Sequence, residues 1–558
     1  MKLFSFLVRQ SPSALILAVL TGIVSGAASA ALMALVNQTL VPVASPSETL
    51  GWAFVGITAT VLISRLSSKL LLLRLSTRAV FNMRMHLCRR ILLSPLREIE
   101  RHGSPKIIAA LTEDLLAVAD TLAKFPLLCI NTAIVVACFF YLIWLSWKLA
   151  LGFLVFFAVG VVIYELIEAR TRPHLAEGRE KWDVLVGFYQ ALIHGNKELK
   201  LHRERRDAFF SQGLRPTAQA MRKLSLSWHS IFAIAASYGE ILYFVIIGGA
   251  LFIAPKFGNF DLQVLTGFTL LTIYMNTPIS FIVGSIPDFQ RAAVSLGKIE
   301  SLGLSLMSGS PTDMHGAELS PARSLTELEV IDLKYVYRQD GEERAFKLGP
   351  INLNIRPGEL TFIVGGNGSG KSSFARLLTG LYVPDTGTIR FNGEPVTDAT
   401  RDHYRQHFSV VFSDYHLFET LFGLVSGGLQ EQAASYLEKL RLTSKVKIAD
   451  GRFSTTNLSQ GQRKRLALLT AFLEDRHIYL FDEWAADQDP EFKDVFYHEI
   501  LPELKARGKT VLVISHDEHF YHVADRIIKF DDGMIIEDRS RADLTAAAVY
   551  DRREYSRL

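Results

Sequence analysis

At 558 residues the chain is too long for one ordinary domain, so two or more are expected. It is 49% hydrophobic with 36 phenylalanines, high for a soluble protein, while a net charge of +4 implies no strong nucleic-acid footprint. Its cysteines are Cys88, Cys129 and Cys138, an odd number without metal-ligand spacing; this argues against a disulfide framework and reads as core or lipid-facing thiols.

The segment 2–12 is a short amphipathic lead-in, with Phe4, Phe6 and Leu7 flanked by Lys2 and Arg9. Residues 13–36 are apolar and uncharged, enough for a bilayer core that takes about 20 helical residues. Ala28-Ser29-Ala30 resembles a signal-cleavage site, but further spans and a nucleotide-binding second half favour an uncleaved first span. Five more spans are expected near 52–73, 125–145, 147–167, 231–254 and 262–286.

The connections between spans differ in charge. Residues 37–50 carry no Lys or Arg, Lys148 stands at a turn that is nearly absent, and 255–261 holds Lys256. By contrast 76–124 contains Arg78, Arg84, Arg89, Arg90, Arg97, Arg101, Lys106 and Lys124, and 170–230 is richer still. Basic loops mark the cytoplasmic side, so six spans with both termini inside are expected.

Both basic segments are patterned as helices. Leu192, Leu199 and Phe209 among charged residues predict helices that carry the spans into the cytoplasm, bending at Gly195-Asn196-Lys197. Lys200, Arg203, Arg205 and Arg206 are interrupted by Glu204 and followed by Asp207, which favours a solvated helix face over a nucleic-acid surface. Within the spans, Arg65 and Glu240 are charges at bilayer depth. Two readings stay open: Arg65 snorkels to the cytoplasmic interface and Glu240 is protonated or hydrogen-bonded to a neighbour, or both line a wet cavity.

Residues 301–324, with Gly303, Ser308-Gly309-Ser310-Pro311, Gly316 and Ser320-Pro321, read as a linker between a membrane domain, 1–300, and a second domain, 325–558. There short strand-like and helix-like runs alternate, the pattern of an α/β domain. Leu360-Thr361-Phe362-Ile363-Val364 reads as a buried strand. It leads into Gly365-Gly366-Asn367-Gly368-Ser369-Gly370-Lys371-Ser372-Ser373 and then the helix start Phe374-Ala375-Arg376. This is the phosphate-binding loop in its strand–loop–helix setting. Glycines let backbone N–H groups converge on phosphate oxygens at a helix N-terminus, Lys371 supplies charge, and the Ser372 hydroxyl can ligate Mg²⁺. The residues therefore point to binding of a nucleoside triphosphate.

Downstream, His477-Ile478-Tyr479-Leu480-Phe481-Asp482-Glu483 is an apolar strand ending in two acids. Asp482 is the candidate Mg²⁺ ligand and Glu483 the candidate general base for water. Between the two motifs lies Leu458-Ser459-Gln460-Gly461-Gln462, followed by a helix-like stretch.

L-S-x-G-Q resembles the signature of ATP-binding-cassette (ABC) proteins, and the chain as a whole resembles a half-size ABC exporter: a six-span α-helical membrane domain fused to an α/β P-loop cassette. On that resemblance Tyr337 is the aromatic that stacks on adenine, Asp489 the D-loop acid and His516 the switch histidine. A metal reading of His516-Asp517-Glu518-His519 is the disfavoured alternative. The stretches 365–370, 412–418 and 482–490 are most similar to the cyclic-peptide exporters, a group that includes exporters of syringomycin-type lipopeptides, pyoverdine-type siderophore precursors and a microcin. One position departs from the family. Ser413 stands where most cassettes place a Mg²⁺-touching Gln, and its shorter reach calls for a bridging water or help from Asp414.

The resemblance further implies ATP with Mg²⁺, a lipid setting in the bacterial inner membrane, and a homodimer in which Ser459, Gly461 and Gln462 of one copy close on the phosphate loop of the other. A peptide is the expected substrate, and nucleic acid is not an expected partner. An importer is disfavoured by the fused order of the domains; a non-transporting membrane ATPase or regulator stays open.

Overall fold

This computed structural model describes residues 12–40, 48–169, 172–256, 260–301, 325–337, 346–424 and 429–541. The lead-in before Pro12 and the linker after Ser301 lie outside the described residues. Two compact units are present, one within Met1–Arg90 and Ile107–Ser308, the other within Ile91–Lys106 and Gly309–Leu558.

In the first unit five of the six expected spans fall on helices Pro12–Leu40, Glu48–Leu93, Leu115–Leu145, Trp147–Ala169 and Leu262–Ser301, and the one expected at 231–254 runs from helix Arg215–Gly248 through the turns Gly249–Ile253 and Ala254–Lys256. Among the described residues five stretches are long and apolar enough to cross a membrane, and Trp147–Ile163 is a shorter apolar one. Several helices outrun their apolar part. Glu48–Leu93 has 46 residues, about 69 Å at the α-helical rise, more than twice a hydrocarbon core of about 30 Å. Helix Arg172–His194 stops at Gly195 before Asn196–Leu201, so the helix is interrupted within the predicted Gly195-Asn196-Lys197 bend.

Close backbone approach and a few polar contacts hold these helices together. A Cβ on Gly26 would lie 2.6 Å from the Ala133 carbonyl, so only glycine permits this crossing of Pro12–Leu40 with Leu115–Leu145. Ile130, Ile134, Cys138, Leu142, Phe153 and Phe268 fill the buried centre. Asn37 Nδ2 donates to Gln263 O at 3.1 Å and its Oδ1 accepts from Thr266 Oγ1 at 2.8 Å. Lys124 Nζ meets Asp288 Oδ2 at 2.5 Å. Arg65 is exposed on helix Glu48–Leu93. Glu240 lies on helix Arg215–Gly248, its side chain outside the described residues.

The second unit carries the strands. They are β1 (Leu328–Tyr337), β2 (Phe346–Ile355), β3 (Leu360–Gly365), β4 (Thr386–Phe391), β5 (Glu394–Pro395), β6 (Phe408–Val411), β7 (Ile448–Ala449), β8 (Arg452–Phe453), β9 (Ile478–Asp482), β10 (Thr510–Ile514), β11 (Arg526–Asp531) and β12 (Met534–Ser540). An antiparallel sheet runs β2-β1-β4-β5 and a larger one β12-β11-β3-β10-β9-β6, with β7 and β8 a separate pair. Strands β6, β9, β10, β3 and β11 are parallel, and β12 returns antiparallel along β11. Every residue of β9 and β10 is buried, as expected of strands covered on both faces. Because the five strands are parallel, the segments following β3, β6, β9 and β10 leave from one edge. Crevices beyond the carboxyl ends of such strands are where α/β sheets bind ligands.

Candidate functional site

That edge collects the residues singled out in the sequence. β3 delivers the phosphate loop, β9 ends in Asp482, β6 leads to Ser413, and β10 leads to His516. Gly365 has φ 145° and a Cβ there would meet Phe530 O at 2.2 Å, so the strand can leave the sheet only as glycine. Gly370, at φ 99°, is the N-cap of helix Lys371–Leu378. A cleft of about 370 Å³ opens on this loop, lined by Tyr337, Asn367, Gly368, Gly370, Lys371, Ser372, Ser373 and Glu483 together with Phe346 and Arg376. Gly366 and Ser369 complete the loop; Ser369 is buried and its N–H donates to Gly366 O at 3.2 Å.

Lys371 is 4% exposed, and its Nζ donates to Gly365 O and Gly366 O, both at 2.9 Å. Burial pulls this ammonium below its ordinary range, while Glu483 and Asp482 oppose that shift. Asp482 is buried at the end of β9. Ser372 Oγ donates to its Oδ1 at 3.1 Å and Ser413 Oγ to its Oδ2 at 3.3 Å. Burial lifts the carboxyl above the usual carboxylate range, against the pull of the Ser372 hydroxyl. One carboxylate and two hydroxyls make an all-oxygen donor set of the kind Mg²⁺ takes beside substrate phosphates, so the residues fit the ion.

Glu483 sits at φ 50°, a left-handed backbone that non-glycine residues seldom adopt. Its N–H donates to Ile514 O at 3.0 Å and its carbonyl accepts from Lys464 Nζ at 3.0 Å, so both neighbours fix the strained residue. The side chain turns to His516, whose Nε2 is 3.2 Å from Glu483 Oε1. Among the described residues no group of three His, Cys, Asp or Glu side chains is arranged to hold a metal, and the Glu518–Val523 turn places His519 O against His522 Nδ1.

The signature residues stand elsewhere. Ser459 caps helix Gln460–Glu474 in a capping box with Gln462. Gly461 is close-packed, since a Cβ there would lie 2.9 Å from Asp487 O. Asp489 caps helix Pro490–Val495 by accepting from Phe492 N at 2.9 Å, and it pairs with Arg465. The Phe492 N–H, more than the Arg465 guanidinium, holds its carboxyl below the usual range. None of Ser459, Gly461, Gln462 and Asp489 lines the cleft of its own chain.

Sequence reasoning missed Phe346 and Arg376. Phe346 lies opposite Tyr337 in the β1–β2 ladder, a pairing that only strand register reveals. Arg376 was readable: it follows Ser372 by one helical turn.

Residues 348–486 match the family description "ABC transporter", and residues 14–279 match "ABC transporter transmembrane region". The chain is 36% identical over 527 residues to ATP-binding protein SyrD of Pseudomonas syringae pv. syringae, covering 93% of each. The chain belongs to the ABC transporter family. It is also similar to an ATP-dependent lipid A-core flippase of Vibrio cholerae, at 25% identity over 84% of this chain and 82% of that one. A macrolide export ATP-binding/permease protein, MacB of Bordetella avium, is 32% identical over 38% of this chain and 34% of its own length. This ABC transporter is an exporter: a helical membrane domain is fused to an ABC ATPase, and ATP hydrolysis is coupled to transport. It is a multi-pass membrane protein.

Proposed function

We propose that this ABC exporter moves a peptide, of the cyclic-peptide, lipopeptide or siderophore-precursor class, out across the bacterial inner membrane by alternating access of a homodimer. The observation that carries the substrate class is the similarity to SyrD along 93% of both chains, in line with the loop and D-loop stretches that resemble cyclic-peptide exporters. The alternative substrate is a microcin or another small peptide.

In this reading the 365–373 loop and Lys371 bind the phosphates, and Tyr337 stacks on the base. Ser372, Asp482 and Ser413 would hold Mg²⁺, which supplies charge neutralisation at the phosphates. Glu483 accepts the proton of the attacking water, and His516 orients that carboxylate across their 3.2 Å contact. The dimer is supported by the position of Ser459, Gly461 and Gln462 away from the cleft of their own chain, which leaves them to complete the site of a second copy. Asp489 would set the D-loop between the copies. Closure of two such sites drives the membrane domains only if ATP binds the closed form better than the open one.

The test is ATPase activity of the protein in lipid bilayers against a panel containing a syringomycin-type lipopeptide, a pyoverdine-type precursor peptide and lipid A. Saturable stimulation by the peptides but not by lipid A is expected. Stimulation by lipid A alone would move the protein to lipid transport, and a flat response to the whole panel would favour a non-transporting ATPase.

A further inference from the structure

The segment Ile91–Lys106 groups with the cassette, although the chain before and after it belongs to the other unit. Its short helix Leu96–His102 packs Leu96 on the cassette core and makes polar contacts through Arg97 and Glu100. Arg97 is an anchor: Nη1 reaches Asp385 Oδ1 at 3.3 Å, Nη2 reaches Val336 O at 3.2 Å, and the guanidinium lies 5.0 Å from the Tyr335 ring centre. Glu100, one turn later, accepts the Tyr382 hydroxyl at 2.5 Å and lies 3.3 Å from Arg376 Nη1.

Arg376 is where several contacts converge. Its Nη1 also donates to Tyr382 Oη at 3.1 Å, and its Nη2 donates to Asp414 Oδ2 at 2.8 Å. Two arms run from this guanidinium back to Asp482. One passes down a single helical turn to Ser372, whose hydroxyl is on Asp482 Oδ1. The other passes through Asp414 to its neighbour Ser413, whose hydroxyl is on Asp482 Oδ2. Both oxygens of the candidate metal ligand therefore lead to one side chain, and from it to Glu100.

We infer that Arg376 is the positioning residue that carries the nucleotide state of the Asp482 site to Glu100, with Asp414 supplying the reach that Ser413 lacks. A guanidinium is a rigid fork, so a displacement of Asp414 on one prong re-aims the other. A static surface ion pair would be the ordinary alternative, and such pairs contribute little. Here the Arg376 side chain is 22% exposed and Tyr382 is buried and stacked on Tyr335 at 5.1 Å, so the fork is enclosed by protein on its Glu100 side, while Asp414 on the other prong is 64% exposed. The inference rests on the exporter reading, because it needs a membrane domain that responds to nucleotide.

The experiment uses the full chain in lipid nanodiscs, with its three cysteines changed to serine and Lys256→Cys carrying a spin label. Distances between the labels of two copies are compared without nucleotide and with ATP plus vanadate, alongside basal ATPase. The parent is expected to shift. Glu100→Gln should reduce the shifted fraction by about fivefold or more, the lower range of ordinary coupling, with basal ATPase kept. Tyr382→Phe, which preserves the buried ring, should give a smaller loss in the same direction and covers the case that Glu100→Gln fails to fold. A shift in Glu100→Gln and Tyr382→Phe equal to that of the parent would overturn the relay while leaving the exporter reading intact. ATPase falling in step with the shift in both variants would assign these residues to cassette structure and also overturn it. No shift in the parent would overturn the relay together with the alternating-access reading.

Discussion

The two units place their apolar residues in opposite senses. In the cassette Phe362, Phe374, Phe481, Phe496 and Trp484 are fully buried, whereas in the membrane unit Trp144, Phe244 and Phe140 are 76%, 74% and 68% exposed. The cassette folds in water, where each Å² of apolar burial contributes about 25 cal/mol. Helices in lipid gain nothing from that transfer and associate through close backbones and interhelical polar contacts, here Gly26 on Ala133, Asn37 with Thr266 and Lys124 with Asp288. The cassette is thus specified by what it hides and the membrane unit by where its helices can touch. Damage to one should leave a different signature from damage to the other.

The largest expected effect is in the cassette. Glu483→Gln should lower steady-state hydrolysis by about 10²–10⁴-fold, the usual contribution of a general base, while ATP binding survives. Near-normal turnover of the purified variant would remove Glu483 from the chemistry. Next, Lys371→Ala should lose ATP binding and Ser459→Arg should lose hydrolysis alone. Combining these two inactive chains should restore one complete site, and verified heterodimers that stay inactive would contradict a site shared between copies.

Crossing to the membrane unit, Gly26→Leu should destabilise by about 1–3 kcal/mol, the cost of overpacking a tight contact. It should lower the Tm of the intact protein in detergent while nucleotide affinity is unchanged; a melt identical to the parent's would mean that the helix crossing can relax. The smallest effect is expected of Ser413→Ala, which should reduce lipopeptide stimulation of ATPase more than it reduces affinity for ATP. Equal stimulation in variant and parent would make Ser413 a bystander.

How much was legible in the sequence follows the same division. The phosphate loop could be read because its chemistry needs consecutive residues, and Asp482 because it closes an apolar strand that the structure confirms as β9. Spans could be read because a bilayer demands length and apolarity. Features made by distant residues could not. Phe346 faces Tyr337 only through strand register, and Glu100 meets Tyr382 across 282 positions of chain. The left-handed Glu483 is likewise invisible without the Ile514 and Lys464 contacts that hold it. Ser413 carried a partial signal: its departure from the family pattern was plain, and its contact with Asp482 gives that departure a geometry.

Export itself is tested most directly by ATP-driven uptake of a labelled syringomycin-type lipopeptide into inside-out membrane vesicles, comparing this chain with its Glu483→Gln variant. Saturable, ATP-dependent accumulation that vanishes in the variant is expected. Uptake that is the same with and without ATP, or the same in both proteins, would contradict it.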